Sequence, residues 1–156
     1  TDAHQYMHGK KFALYGDPDQ LLGTVAFLLE MGAVPCHILC SKGSKKVAKD
    51  IQALLDSSMY GKQGKIYMGK DLWHLRSLLM TDPVDGLIGD THGKFIARDA
   101  KIPLFRFGFP VMDRVNLHRS PIIGYQGAIN MLTAICNKFL DITDETCEDR
   151  FFEMMR

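Results

Sequence analysis

The stretch Lys11-Phe12-Ala13-Leu14-Tyr15-Gly16-Asp17-Pro18-Asp19-Gln20-Leu21-Leu22-Gly23-Thr24-Val25 decides the fold. Its first five residues form a short apolar run that stops at Gly16, the length of a buried strand. Pro18 then stands where a helix begins, a place that tolerates a missing N–H. Leu21, Leu22, Val25, Leu28 and Leu29 recur at helical spacing, and Gly32 supplies a stop. Strand, turn and amphipathic helix in that order make one unit of an α/β fold.

The unit recurs along the chain. Residues 35–40 form a second apolar run; Ser44 is placed to cap a helix whose inward stripe is Val47, Ile51, Leu54 and Leu55. After a turn at Tyr60-Gly61, residues 65–68 read as a third strand. Asp71 is placed to cap the helix carrying Leu72, Leu75, Leu78 and Leu79. Residues 84–88 and 103–107 read as strands four and five, with a short helix or loop over 91–100 between them. An irregular connection spans 108–119. Ser120-Pro121 opens a last helix with Ala128, Met131, Leu132, Ile135, Cys136 and Phe139 inward, and an acidic tail over 141–156 carries the apolar group Phe151, Phe152, Met154 and Met155. Strands alternating with helices imply a parallel sheet covered on both faces. Right-handed crossovers narrow the topology. The expectation is a single three-layer, Rossmann-like α/β domain over 1–156, with about five strands ordered 3-2-1-4-5.

Composition excludes several classes of function. A net charge of +1 with scattered cations opposes a dedicated nucleic-acid binder; the basic stretch 42–49 lies within an amphipathic pattern and reads as a solvated helix face. No apolar run approaches the roughly 18 residues of a membrane span, and no secretory signal is visible. The chain begins at Thr1 rather than Met, as a processed or excised piece would. Cys36, Cys40, Cys136 and Cys147 match no zinc or disulfide spacing. The first two fall about 13 Å apart along a strand, too far to share one ion, and all four read as thiols of a reducing, cytoplasmic protein.

In such folds ligands bind outside the carboxyl ends of the strands, at the switch point between strands one and four. Here those ends carry Gly16-Asp17-Pro18-Asp19 and Gly89-Asp90-Thr91-His92-Gly93. The glycine fingerprint of a dinucleotide site is missing, as is a phosphate-binding loop. Asp17 and Asp19 would repel a phosphate from the helix N-terminus and read instead as capping groups. His4 and His8 would share one side of a helix if residues 1–8 were helical. His37 reads as a satisfied structural or edge residue, and His74, beside Trp73, as a packing residue. The connection over 108–119 holds Asp113, Arg114, His118 and Arg119. That set either clamps an anion or a partner carboxylate, or orders the loop through its own ion pairs.

Several long segments in order, namely His8 through Asp19, Pro35-Cys36-His37-Ile38-Leu39-Cys40, Gly69-Lys70-Asp71-Leu72-Trp73-His74-Leu75-Arg76-Ser77-Leu78, Gly93-Lys94-Phe95-Ile96, Gly108-Phe109-Pro110 with Asp113-Arg114, Leu117-His118-Arg119-Ser120 and Gly124-Tyr125-x-Gly127-Ala128, resemble the β subunits of nitrogenase molybdenum–iron proteins. The match runs over nearly the whole chain. The resemblance implies the last domain of a three-domain subunit, whose complex reduces dinitrogen to ammonia with electrons from a separate ATP-using iron protein. It implies partners in an α subunit and a second β subunit. It places the eight-iron P-cluster ligands in the absent first domain and the iron–molybdenum cofactor in the α subunit, so no cysteine here maps onto a cluster. It also implies that Asp2 is half of a cation site between β subunits, whose companion acid precedes Thr1. The connection between Phe95 and Pro103 is shorter than in some members. The expected role is a scaffold or assembly domain without catalysis of its own. Alternative roles are a cofactor-maturation scaffold subunit or a vanadium-nitrogenase β subunit, both less close to Gly-Lys-Asp-Leu-Trp-His-Leu. A free-standing flavodoxin-like small-molecule binder is the reading from another class, which the acidic first turn opposes.

Overall fold

The structure, a computed structural model, describes residues 4–42, 45–107, 112, 114 and 124–146. Five parallel strands form one sheet in the order β3-β2-β1-β4-β5, as the alternating pattern predicts. They are β1 (Lys11–Gly16), β2 (Val34–Cys40), β3 (Lys65–Met68), β4 (Gly86–Gly89) and β5 (Leu104–Arg106). The helices are α1 (His4–Met7), α2 (Pro18–Glu30), α3 (Lys45–Asp56), α4 (Leu72–Thr81), α5 (Lys94–Asp99) and α6 (Gly124–Thr146). Two 3-10 turns, Met59–Gly61 and Thr91–Gly93, precede β3 and α5.

The core lies in two layers. One face of the sheet packs Phe12, Leu14, Ile38 and Cys40 against α2, α3 and α6 through Leu21, Val25, Leu28, Ile51, Leu55, Ile135 and Phe139. The other packs Ala13, Tyr15, Cys36 and Leu39 against α4 and α5 through Leu75, Leu79, Ile96 and Ala97. The central strand β1 is buried along Phe12, Ala13, Leu14 and Tyr15 without alternation, because helices cover both of its faces.

Local chemistry sets the element ends. Gly32, at φ +72°, closes α2: its N–H reaches Leu29 O at 3.1 Å and Ala33 N–H reaches Leu28 O at 2.9 Å. This paired arrangement places a left-handed residue just past the helix, where glycine costs least. The Asp71 carboxylate accepts from His74 N at 3.0 Å at the start of α4. Asp71→Ala should lower stability by about 1 kcal/mol, measured by urea denaturation, while Asp71→Asn or Asp71→Ser should recover most of it.

The structure corrects two sequence expectations, the capping role of Asp17 and the start of the tail at residue 141, and refines two others. Asp17 occupies the N-cap position of α2, but its side chain makes no capping bond; the helix relies on Pro18 and on the carboxylate–dipole interaction instead. Of the two readings of His37, the structural one holds and the edge one does not, since β2 pairs with both β1 and β3. It is buried, and Nε2 contacts Asp82 O at 3.1 Å. Cys36 and Cys40 face opposite layers despite a spacing of four. The β1–β2 register slips between Phe12 and Ala13, so Cys36 is the extra residue of a bulge and the side-chain phase inverts there. Finally, α6 continues to Thr146, so residues 141–146 are helix rather than tail, with Ile142 packed on the core. Ser44, Ser120, Pro121, Cys147 and the group Phe151, Phe152, Met154 and Met155 lie outside the described residues.

Candidate functional site

After β1 the chain leaves toward α2 on one face of the sheet; after β4 it leaves toward α5 on the other. The divergence opens a crevice at the carboxyl ends of these two strands. Tyr15, near the end of β1, fills its floor. The Tyr15 hydroxyl lies 2.5 Å from Asp90 O and 2.8 Å from Asp90 Oδ1, to which it donates, and it accepts from Gly93 N at 2.6 Å. Asp90 Oδ1 also accepts from His92 N at 2.9 Å and stands 3.1 Å from His92 Nδ1.

Two glycines make room for the phenol. A Cβ on Gly89 would stand 2.1 Å from Tyr15 Cε1, and one on Gly93 would stand 2.6 Å from its hydroxyl. Burial, and then the Asp90 carboxylate, push the Tyr15 pKa well above the ordinary phenol range. Tyr15 is therefore a neutral donor that holds the β1 and β4 ends together. It is neither a phenolate base nor a nucleophile.

Above that floor lies a cleft of about 460 Å³, lined by Asp17, Gln20, Ser41, Lys70, Asp71, Trp73, Asp90 and His92 among others. Three carboxylates face one lysine, which opposes phosphate and agrees with the missing glycine fingerprint. A second cavity of about 720 Å³ lies between β5 and α6, and Arg114 lines it together with Lys94, Arg98, Arg106 and Lys138. Thus Arg114 stands away from the strand crevice, on a basic wall. Asp2, Asp113, His118 and Arg119 lie outside the described residues.

The histidines lie apart from this crevice or at its rim, and the buried Nε2 of His74 and Nδ1 of His37 have no hydrogen-bond partner among the described residues. His4 opens α1 and His8 lies just past its end, with ring centroids 6.1 Å apart, but His8 Nε2 pairs with Tyr60 OH at 3.0 Å. His74 packs edge-on against Tyr67 at 5.1 Å. Among the described residues no three His, Cys, Asp or Glu side chains converge as metal ligands do. Burial pushes the Cys36 thiol up to about 11 and raises Cys40 and Cys136 as well.

Sequence reasoning located this crevice but missed the Tyr15–Asp90–Gly93 triangle. Its one sequence signal is the pair of glycines flanking Asp90, a spacing that leaves space for a ring. Tyr15→Phe should cost about 1–2 kcal/mol, because the Asp90 acceptors and Gly93 N–H lose a buried partner. Alkali should act through the same groups. Tyr15 and Cys36 both have raised folded pKa values, so their contribution is fully present below pH about 9 and fades as pH rises through 11 and beyond. Thermal melts across this window should show a fall in Tm that is shallower in Cys36→Ala. Of the five tyrosines, Tyr15 should ionise last, only as the chain unfolds, as read from the phenolate ultraviolet band.

Comparison with known proteins places this geometry in a family. Residues 1–140 match the nitrogenase component 1 type oxidoreductases. The chain is 51% identical over 152 residues to the nitrogenase molybdenum-iron protein beta chain of Azotobacter vinelandii, covering 93% of this chain and 29% of that one. It is 54% identical over 144 residues to the corresponding beta chain of Bradyrhizobium diazoefficiens, covering 92% and 28%. A solved structure of nitrogenase Cp1 at pH 6.5 superposes with a TM-score of 0.90 at 39% identity, over 96% of this chain and 32% of that chain. The chain thus spans less than a third of the length of these relatives. With the same five-stranded architecture and a family match over nine-tenths of its residues, the chain belongs to the nitrogenase component 1 type oxidoreductases.

Proposed function

We propose that this chain is the last of three α/β domains in a nitrogenase molybdenum–iron protein β subunit, where it serves as a scaffold and assembly domain. The observation that carries this reading is the 51% identity to a named beta chain over 93% of the present sequence but only 29% of that relative. The parent complex would reduce dinitrogen to ammonia with an iron protein as electron donor. Its partners would be an α subunit and a second β subunit, and its compartment the cytoplasm.

The P-cluster and the iron–molybdenum cofactor supply that reduction when bound, and they would be held elsewhere in the complex. Cys36 and Cys40 face opposite layers of the sheet, so they cannot share one cluster, which supports that division. What this chain contributes is rigidity: two packed layers and the Tyr15–Asp90 tie between the ends of β1 and β4. Asp2 would give one carboxylate to a cation site shared by two β subunits. Asp113, Arg114, His118 and Arg119 would order the connection into α6 and present it to a partner.

Purifying the native polypeptide that carries this sequence tests the reading. The expected result is co-purification with a second α/β subunit, bound iron, and ammonia formation on adding iron protein and ATP. A native polypeptide that purifies alone, without iron and without activity under those conditions, would contradict it.

A further inference from the structure

We propose that the cavity between β5, α5 and α6 binds an organic anion, one with a carboxylate or phosphate head on an apolar chain. The cavity holds about 720 Å³, a size that suits a small molecule. It lies along the edge of the sheet, whereas the crevice at Tyr15 lies at the strand ends.

The fold makes this cavity. β5 is an edge strand, with β4 as its one neighbour in the sheet. α5 packs on one face of the sheet and α6 on the other, so both helices border the open edge and both line the cavity. Its floor is apolar, formed by Ile102, Leu104, Phe105, Met131 and Ile135. Its rim is basic: Lys94 and Arg98 of α5, Arg106 of β5 and Lys138 of α6 stand there with Arg114, and no described lining residue is acidic. Five cations without an acid are a marked excess in a chain of 19 basic and 18 acidic residues. The acid beside Arg98 does not offset them, because Asp99 pairs with Arg76 at 3.1 Å. Lys94 and Lys138 form no salt bridge among the described residues. A cleft lined by one sign of charge over low-dielectric walls focuses its field and concentrates counter-ions.

Floor and rim together define the ligand. A bare phosphate would lose hydration against Ile102, Leu104 and Met131 without a polar replacement. A neutral hydrocarbon would leave the cations unanswered. Guanidinium forks pair with carboxylate and phosphate alike, so either head fits. A further polypeptide strand suits the edge poorly. β5 has three residues, ends on the charged Arg106, and follows close on Pro103, which has no N–H to offer. Shortness, charge and proline are the devices by which sheet edges refuse another strand.

Isothermal titration of the native full-length protein with dodecanoate and with dodecyl phosphate, each below its micelle concentration, tests this. Dodecyltrimethylammonium is the cationic control. A dodecanoate carrying a terminal diazirine then reports the place of binding by photolabelling and peptide mass spectrometry. We expect saturable binding of the anions, none of the ammonium, and label within residues 94–107 and 127–138. Arg98 and Lys138 are both exposed, where substitution leaves folding intact. Arg98→Gln combined with Lys138→Gln should weaken binding about ten-fold, and Arg98→Lys combined with Lys138→Arg should not. The tighter of the two anions identifies the head group. Absence of saturable binding, equal binding of the ammonium, label confined to other segments, or full affinity in the glutamine variant would each overturn the site.

Discussion

Phe12→Ala should lower the stability of the folded chain by about 4 kcal/mol, the largest loss expected from any single truncation here. Phe12 has no exposed surface and sits on β1, the central strand of the sheet. Its ring meets Phe105 of β5 at 6.2 Å and Phe139 of α6 at 6.0 Å, and those two meet each other at 5.8 Å. The three rings tie the middle of the sheet to its β5 edge and to the last helix. Collapse into the vacated space is hindered on every side: β1 is hydrogen-bonded to β2 and β4, and Phe139 is held beneath Lys10, whose Nζ lies 5.0 Å from its ring centre. A persistent cavity adds its own cost to the lost transfer energy. Urea denaturation should show a lower midpoint at unchanged slope. Phe12→Leu should lose about 1–2 kcal/mol, since it keeps most of the volume. Equal losses for both variants would mean that ring packing is not what joins these elements.

Gly89→Ala should cost about 3 kcal/mol, at the upper end of ordinary overpacking. A methyl group there would stand 2.1 Å from the Tyr15 ring. The ring has nowhere to go, because its hydroxyl is bound to both Asp90 and Gly93. The cost should therefore depend on Tyr15. In a Tyr15→Ala background, Gly89→Ala should be close to neutral; in Tyr15→Phe, which keeps the ring and loses only the hydroxyl, it should remain expensive. The coupling energy of that double-mutant cycle measures the wedge directly. Additive effects of Tyr15→Ala and Gly89→Ala would show that Gly89 is required for some other reason.

Much of this fold could be read before any coordinates. The strand order followed from the alternation of apolar runs and helical stripes, and Gly32 announced the end of α2 through the one conformation it supplies cheaply. What the pattern could not carry depended on partners far away in sequence. Tyr15 and Asp90 are 75 positions apart, and no local period reports that a phenol at the end of one strand meets a loop at the end of another. The bulge at Cys36 hides for a similar reason: a one-residue slip between β1 and β2 inverts the side-chain phase without changing composition. His37 allowed two readings, structural residue or edge position, and the contact that decides between them, Nε2 to Asp82 O, spans 45 positions.

The central claim is that the chain is a scaffold domain whose parent keeps its redox centres elsewhere. Iron and acid-labile sulfide per chain, measured on the 156-residue chain after anaerobic expression and cluster reconstitution, test it most directly, with the full-length native protein beside it. The account predicts no stoichiometric iron in the isolated chain and abundant iron in the native protein. Stoichiometric iron and sulfide in the isolated chain, lost when Cys36, Cys40 or Cys136 is replaced by serine, would contradict it.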